Sequence, residues 1–255
     1  MSYETAFEVG RLFHPLKTIA DAVSPVERDP FIHLPALRAY WPMSIVRSTG
    51  AAEDHAGTSV GLLRQGGPLY GFDGNAYIEL GISNGYMATA SSALNITGTE
   101  AWIASSLRGL TIGGWFWVDS TPSVDNGLVT KAAAPTELGF GLLWNSSNVP
   151  LFHVSGTGSD WPGIGYPAQP LDTWLFIAGR FTPSTEVAIF VNGDKAINTT
   201  SIPAAINVST QNFEVGRYYN DNNRIIEGRA RDVFICTAAL SDETLSVLYQ
   251  ATRPA

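Results

Sequence analysis

The sequence predicts an all-β protein built from two packed sheets. From Leu37 onward, short runs of β-branched and aromatic residues recur between clusters of Gly, Asn, Asp and Pro, which is the pattern of strands and turns. Within this part of the sequence, helical periodicity is confined to the C-terminal end. The runs are too many for one sheet of ordinary size, and 255 residues suffice for one large sandwich.

The predicted strands share apolar runs that are bounded by turn residues. They are residues 76–80, 110–118, 127–131, 140–145, 151–155, 173–181, 186–192, 212–218 and 231–237. The polar link TPST at 182–185 predicts an antiparallel hairpin, and Asn192-Gly193 predicts the turn that follows it. Ser241, followed by Asp242 and Glu243, predicts the N-terminus of one short C-terminal helix.

Residues 1–36 form a predicted N-terminal docking arm, and residues 37–255 form the sandwich domain. Prolines interrupt the arm, which excludes a long helix or a central strand. The stretch Pro15 to Val23 predicts a helix of about two turns with Leu16 and Ile19 on one face, too short to be stable without docking.

Charge and cysteine content exclude several classes of function. The net charge of −8 and the low charged fraction predict no nucleic-acid partner. The single cysteine, Cys236, lies in an apolar run and is expected to be a small buried side chain, so neither a disulfide framework nor a cysteine-rich zinc site is available. The acidic N-terminus lacks the features of a secretory signal, and no apolar run predicts membrane insertion.

The stretch LTIGGWFWVD at 110–119 raises the question of what covers its tryptophans. Alternate residues of a strand face opposite sides, so Trp115 and Trp117 share the face that is turned away from the core between the sheets. This patch needs a cover, which could be a saccharide, a neighbouring subunit or the arm. We favour the arm or a neighbour, because the arm carries suitable apolar side chains: Phe13, Leu16 and Ile19.

No catalytic arrangement is found in the sequence. The glutamates are scattered and do not form the paired carboxylates of a glycoside hydrolase. The four histidines lack metal-ligand spacing, and there is no Gly-x-Ser-x-Gly motif for a nucleophile. The sequence therefore predicts a protein that is not an enzyme.

Seven motifs in order carry a resemblance to a known family: FDGNAYIEL, LTIGGWFWVD, GLVTK, DTWLFIAGRF, VAIFVNGDK, FEVGR and GRARDVFICTAALSDETLSVLY. The series resembles the laminin G-like group of the concanavalin A-like lectin jelly rolls, over roughly residues 37–252. The resemblance implies a jelly-roll β-sandwich and a surface module that binds glycans or proteins, or that builds an assembly.

The resemblance also raises the question of calcium, because relatives often hold one ion with carboxylates and loop carbonyls. Asp73 and Asp232 occupy the family-typical places. However, Asp before Gly is also the recipe for a tight turn, and Asp232 can pair with a neighbouring arginine. We therefore expect no cofactor, with Ca²⁺ as the alternative. A second oxygen cluster, equally consistent with a solvated turn, comprises Asp119, Asp125 and Asn126.

Two loops have the composition of recognition surfaces. GTGSDWPGIGYP at 156–167 presents Trp161 and Tyr166 among glycines and prolines. RYYNDNNR at 217–224 combines tyrosines with amides. The predicted contacts to a glycan or partner are Trp161, Tyr166, Tyr218, Tyr219 and Asn220. The alternative for the second loop, which the composition favours, is an ordinary exposed connection between strands.

Two functions remain open at this point. The resemblance extends to decoration and appendage proteins of tailed-phage particles, which implies a structural module on a virion surface. Such a module would dock through its arm to protein neighbours in a homo-oligomer or lattice. The alternative is a carbohydrate-binding lectin module for host or cell-surface adhesion.

Overall fold

The computed structural model describes residues 29–43, 51–56, 61–67, 69–73, 76–89, 94–101, 103–133 and 136–254. The strands, in chain order, are β1 Leu37–Trp41, β2 Ala51–Ala52, β3 Leu62–Gln65, β4 Leu69–Phe72, β5 Ala76–Leu80, β6 Tyr86–Thr89, β7 Arg108–Val118, β8 Asn126–Ala133, β9 Glu137–Trp144, β10 Pro150–Val154, β11 Gly163–Gly165, β12 Leu175–Thr182, β13 Glu186–Val191, β14 Asp194–Asn198, β15 Phe213–Val215, β16 Arg217–Tyr218, β17 Asp221–Ile225 and β18 Gly228–Ala238. Short 3₁₀ helices span Pro30–His33, Ile82–Asn84 and Ser105–Leu107, and helix α1 spans Asp242–Thr252.

The described strands form two sheets. The first has the order β14-β13-β12-β7-β18-β5-β4, with β1 also paired to β18. The second has the order β11-β10-β9-β8-β15-β6-β3-β2, and the hairpin β16–β17 joins it through a parallel contact of β17 with β8. The remaining pairs are antiparallel, which confirms the predicted all-β sandwich with one C-terminal helix.

The local predictions hold at the strongest signals. Strand β5 has the predicted bounds, and the hairpin between β12 and β13 pairs Thr182 with Glu186. Asn192 and Gly193 both have positive φ, 52° and 94°, in the two-residue turn before β14. Helix α1 begins as predicted, because the Ser241 hydroxyl accepts a hydrogen bond from the Thr244 amide at 3.1 Å.

The predicted strand 212–218 is divided in two by Gly216. This glycine has φ 94°, a backbone conformation that residues with a side chain rarely adopt. Its amide donates a hydrogen bond to the Leu128 carbonyl at 3.0 Å. The chain therefore leaves β15 and starts a separate hairpin at Arg217. What sequence alone reads as an exposed connection is thus an ordered hairpin, β16–β17.

The main core lies between the sheets and takes side chains from both. Ile112 and Phe116 come from β7 of the first sheet, while Phe140 and Phe152 come from the second, and all are essentially inaccessible. Phe152 packs directly against Gly179 of β12, where an added Cβ would lie 2.2 Å from the ring. The prediction that Ile112 and Phe116, on the face of β7 opposite the tryptophans, point into the core is therefore confirmed.

The outer face of the first sheet is also covered. A second cluster places Trp115 and Phe176 beneath Leu245 and Leu248 of α1, and Phe31 of the first 3₁₀ helix belongs to the same cluster. No helix within the described ranges is long and apolar enough to span a membrane. The outer face of the second sheet carries a smaller cluster, which is where the candidate site lies.

Candidate functional site

The candidate site is built on the outer face of the second sheet, over strand β9. Phe140 and Leu142 of this strand point into the main core, so Gly141 faces outward. Without a side chain, Gly141 leaves room above the sheet, and an added Cβ would already touch the Trp161 ring at 3.4 Å. The indole of Trp161 therefore lies over the sheet at this point.

Trp161 is held by a loop that is organised around one carboxylate, Asp160. One Asp160 oxygen accepts hydrogen bonds from the Ser155 hydroxyl at 2.6 Å and from the Gly156 and Thr157 amides, each at 2.9 Å. Partial burial opposes ionisation of Asp160, but these hydrogen bonds outweigh it and hold its pKa below the ordinary value. The carboxylate is thus charged at neutral pH and fixes the loop.

The second part of the site is the hairpin β16–β17. Tyr218 pairs with Asp221 across a two-residue turn in which Tyr219 and Asn220 have φ of 61° and 55°. A tyrosine rarely adopts positive φ, and strain of this kind is often found at binding sites. The Tyr219 ring is stacked on Tyr218 with centroids 3.6 Å apart, which offsets the strain.

These two parts meet in a continuous array of four rings. The His153 and Trp161 rings are parallel with centroids 5.4 Å apart, Trp161 and Tyr218 are stacked at 6.5 Å, and Tyr218 stacks on Tyr219. Tyr218 is only 2 % exposed, whereas the other three rings are half-buried. The structure therefore brings Trp161, Tyr218 and Tyr219 together from loops that are distant in sequence. We call His153, Trp161, Tyr218 and Tyr219 the aromatic array.

Polar groups border the aromatic array. The Arg224 guanidinium lies over the Tyr219 ring, 5.3 Å from its centroid, and donates to the Asp125 carbonyl at 3.2 Å. The His153 Nδ1 and the Trp161 carbonyl oxygen are 3.0 Å apart. The Arg224 guanidinium beside the rings and the His153 ring within the array are thus hydrogen-bonding groups of this surface.

Burial keeps His153 and Tyr218 of the aromatic array uncharged at neutral pH. Burial lowers the pKa of His153, although the Trp161 carbonyl and Asp125 partly oppose this effect. Burial also raises the pKa of Tyr218, assisted by its hydrogen bond to Tyr219. The surface therefore combines neutral aromatic faces with hydrogen-bonding groups, a combination suited to sugars or to the side chains of a protein.

The other two predicted contact residues lie differently. Asn220 is exposed, and its side-chain oxygen accepts a hydrogen bond from Arg217 at 2.5 Å, so this amide supports the turn of the hairpin. Tyr166 is half-buried against the main core, and burial together with the nearby Asp194 raises its pKa. Tyr166 takes no part in the ring contacts of the aromatic array described above.

The structure shows what covers the tryptophans of strand β7. Trp115 is 1 % exposed, packs against Tyr249 with centroids 5.8 Å apart, and donates from Nε1 to the Thr252 hydroxyl at 2.9 Å. Helix α1 of the same chain therefore covers this ring, an option that the sequence reasoning did not include. Trp117 is half-buried between Trp174, at 6.0 Å, and the Arg229 guanidinium, at 4.9 Å.

The predicted docking residues Phe13, Leu16 and Ile19 lie outside the described residues. The last part of the predicted arm, residues 29–36, is described and packs on the sandwich. Phe31 is fully buried and stacks on Tyr40 with centroids 4.8 Å apart.

The two predicted calcium ligands both contact protein groups. Asp73 accepts a hydrogen bond from Trp174 Nε1 at 3.0 Å, and an oxygen of Asp232 lies 3.0 Å from the Tyr40 hydroxyl. Among the residues described by the structure, no three His, Cys, Asp or Glu side chains converge to form a metal site.

His153 and Arg224 were not identified from the sequence as site residues. A usable signal existed for His153: it is a polar residue at an outward position of the predicted strand 151–155, two residues after Leu151. Arg224 ends the amide-rich loop, and nothing in the sequence indicates that it folds back over the tyrosines.

Comparison with known proteins identifies the family to which the fold belongs. A laminin G model described as the concanavalin A-like lectin/glucanases superfamily matches residues 81–246. No curated protein sequence matches the chain.

Three solved structures share the fold at low identity. The binding domain of Paraclostridial Mosquitocidal Protein 1 has a TM-score of 0.65 at 13 % identity and covers 85 % of this chain and 52 % of its own. Botulinum neurotoxin type C, whose cell entry depends on interaction with two ganglioside molecules, has a TM-score of 0.64 at 14 % identity, with 86 % and 52 % covered. The binding domain of botulinum neurotoxin DC, in complex with rat synaptotagmin II, has a TM-score of 0.63 at 13 % identity, and the match covers 86 % of this chain and 52 % of that structure.

This chain therefore spans about half the length of these structures, and at such low identity the likeness concerns the fold alone. The family model, by contrast, matches well over half of the chain, and the observed jelly-roll sandwich agrees with it. The chain belongs to the concanavalin A-like lectin/glucanases superfamily.

Proposed function

We propose that this protein is a non-enzymatic binding module that recognises a glycan through the aromatic array. The observation that carries the proposal is the stacking of Trp161, Tyr218 and Tyr219, which joins two separate loops into one partly exposed surface. Aromatic faces suit the apolar C–H faces of sugar rings, while the bordering Arg224 and His153 supply hydrogen bonds to hydroxyl groups. Glycan-binding neighbours with the same fold support this reading at the level of the fold.

The aromatic array has the preorganisation that a binding site needs. Asp160 fixes the Trp161 loop, and Arg217 holds the tip of the hairpin through Asn220. A ligand that docks on a rigid surface loses less free energy to the ordering of side chains. We infer that the exposed faces of Trp161 and Tyr219 contact the sugar, with Tyr218 as the buried centre of the stack.

The test is a glycan-array screen with the full chain, followed by titration calorimetry with the strongest hits. We expect Trp161→Ala and Tyr219→Ala each to weaken binding at least tenfold. This is the loss expected when one aromatic contact that contributes about 1.4 kcal/mol to the binding free energy is removed. The matched control is Phe72→Ala, which removes an exposed ring, 76 % accessible, on strand β4 of the other sheet. The proposal is overturned if no glycan binds, or if binding survives in both array variants.

A structural role in an assembly is the second candidate function. An apolar groove of about 360 Å³ lies between the first 3₁₀ helix and α1, lined by Leu34 and Leu248 and by Val247, which is 57 % exposed. The described chain begins at Asp29, next to Pro30, which lines this groove. This arrangement suits docking to a protein neighbour, such as a copy of this chain on a phage virion. Mass measurement of the chain alone and with co-expressed virion proteins tests it, and a chain that stays monomeric in both would eliminate it.

A further inference from the structure

A second concave site lies at one end of the sandwich, where three loops meet. The groove has a volume of about 410 Å³. Its walls come from the loop after β5, the loop between β7 and β8, and the segment that follows the turn of hairpin β16–β17. The residues that carry the argument are Gly81, Asn84, Ser120, Asn126, Asn222 and Glu227. We call this site the polar groove.

The walls of the polar groove are tied to one another. The Asp119 amide donates to the Glu227 carbonyl at 3.0 Å, and the Ser120 hydroxyl donates to the Glu227 carboxylate at 2.8 Å. Gly81 has φ 86°, and an added Cβ would lie 2.9 Å from the Glu227 Cα, so only glycine allows this loop to approach. The polar groove is therefore formed before any ligand arrives.

One buried acceptor on the polar groove lacks a partner. The Asn126 side chain is 6 % exposed, and its Nδ2 donates to the Ile225 carbonyl at 2.8 Å, which fixes the orientation of the amide. Its Oδ1 is buried and accepts no hydrogen bond from the protein. Buried polar atoms in folded proteins nearly always have a partner, so an acceptor that lines a groove indicates a place for a ligand donor.

The lining of the polar groove defines the chemical class of that ligand. Its polar side chains are amides, hydroxyls and one carboxylate, Pro122 and Ile225 are its apolar members, and the described lining includes no Lys, Arg or aromatic residue. An anion would find no cation there. A single carboxylate is also a weak set of ligands for a divalent cation. Hydroxyl groups, which both donate and accept, match amide oxygens, amide N–H groups and a carboxylate together.

Each polar group has a defined part in such recognition. Asn126 Oδ1 and the exposed carboxylate of Glu227 are the acceptors for ligand hydroxyls in such recognition. Asn222 uses its oxygen to accept from Arg217 at 3.2 Å, which turns its N–H₂ group into the available donor. Recognition here takes place through hydrogen bonds and without ring stacking.

We propose that the polar groove is a second saccharide-binding site, which takes one uncharged sugar unit through its hydroxyl groups. The site goes beyond the function proposed for the aromatic array and does not depend on it. The two sites share the hairpin β16–β17, which contributes Tyr218 and Tyr219 to the array and Asn222 to the groove. An elongated glycan or two separate glycans could thus engage one module.

The test uses ¹⁵N-labelled full-length protein, with the methyl glycosides of glucose, galactose and mannose as probes at tens of millimolar. We expect at least one glycoside to shift the side-chain amide signal of Asn126 and the backbone amide signals of Ser120, Thr121 and Ser123. Glu227→Ala and Ser123→Trp, which fills the groove from an exposed loop position, should each reduce these shifts at least tenfold. Ser123→Ala is the matched control and should retain them.

A crossed design separates this proposal from the one for the aromatic array. Trp161→Ala should leave the shifts at Asn126 intact, whereas Ser123→Trp should leave glycan binding at the array intact. The proposal is overturned if no glycoside shifts the Asn126 signal. It is also overturned if Ser123→Trp retains the shifts, or if calcium chloride alone produces them and a chelator abolishes them.

Discussion

Arg217 and Glu214 form a bidentate ion pair in which both side chains are buried, 6 % and 4 % exposed. The same guanidinium lies over the Tyr86 ring, 3.7 Å from its centroid, and donates to Asn220 and Asn222 in the next hairpin. The pair therefore joins strand β15 to the hairpin that carries Tyr218 and Tyr219. Stability and the candidate site depend on the same two charges.

Removing one partner of this pair should be strongly destabilising. Glu214→Gln leaves the Arg217 charge buried without compensation, and Arg217→Met does the same to the carboxylate. We expect each to lower the free energy of unfolding by about 3–5 kcal/mol. The double variant Glu214→Gln/Arg217→Met should cost less than the sum of the two single changes. Denaturant unfolding of all three proteins measures this, and additive losses would contradict a coupled pair.

The contacts that could be predicted from sequence are the local ones. Alternation along β7 correctly assigned Phe116 to the core and Trp115 to the opposite face, and the cap at Ser241 marked the start of α1. Neither observation says where α1 docks, because helix docking depends on contacts between distant segments. The cover of Trp115 was therefore missed.

The same limit applies to the candidate site. Trp161 and Tyr218 were each identified from the composition of their own loops. Their stacking depends on β8, β9 and β10 being neighbours in one sheet and on Gly141 leaving space above it. Strand order is a long-range property that no local pattern contains. The burial of Tyr218 likewise follows from the break at Gly216, which local composition did not predict.

Asp232 should make stability depend on pH between about 4 and 6. Burial raises the pKa of this carboxyl to about 6, with a nearby Arg231 and the Tyr40 hydroxyl partly opposing. The folded state therefore binds the proton more tightly than the unfolded state, so stability is gained as pH falls through 6 and lost as pH rises. Asp232→Asn should remove this dependence and stabilise the protein at pH 7 by about 1–2 kcal/mol.

Asparagine is the appropriate replacement, because Asp232 has φ 51° and asparagine tolerates that conformation. Thermal unfolding of both proteins from pH 4 to 7 provides the measurement. The wild type should lose stability relative to the variant as the pH rises through this window. Parallel curves would show that Asp232 titrates normally in the folded protein.

Lys131 should make the folded state more stable as the pH rises in the alkaline range, the opposite of the effect of Asp232. Its side chain is 3 % exposed and Nζ donates to the Gln211 carbonyl at 2.5 Å, while burial lowers its pKa to about 8. The unfolded state then binds the proton more tightly, so stability should rise as pH increases from about 8 to 10.5. The gain is about 1–2 kcal/mol after allowance for solvent screening.

Lys131→Met tests this directly, because methionine retains the length of the side chain and cannot titrate. The stability difference between wild type and variant should change across pH 8–10.5 and stay constant below pH 7.5 when followed by urea unfolding. A constant difference throughout would mean that Lys131 has its ordinary pKa in the folded state.

Chelation of calcium should leave stability unchanged. Asp73 and Asp232, the two predicted ligands, contact Trp174 and Tyr40 respectively. An ion that binds only the folded state would raise the melting temperature by mass action. We therefore expect the same melting temperature in calcium and in excess chelator. A lower melting temperature on chelation, together with calcium found by elemental analysis, would show that the folded protein binds calcium.

The boundary of the N-terminal arm can be located by two truncations. Asp29 accepts a hydrogen bond from the Tyr40 hydroxyl at 2.6 Å, and Phe31 is buried against Tyr40 and Phe234. Deleting residues 2–28 keeps these contacts and should leave the melting temperature within a few degrees of the wild type. Deleting residues 2–36 removes the buried Phe31 ring and should cost about 3–5 kcal/mol, as Phe31→Ala should in the full chain. Equal stability of the two truncated proteins would place the boundary after residue 36, and unfolding of the shorter deletion would make residues 2–28 part of the folded core.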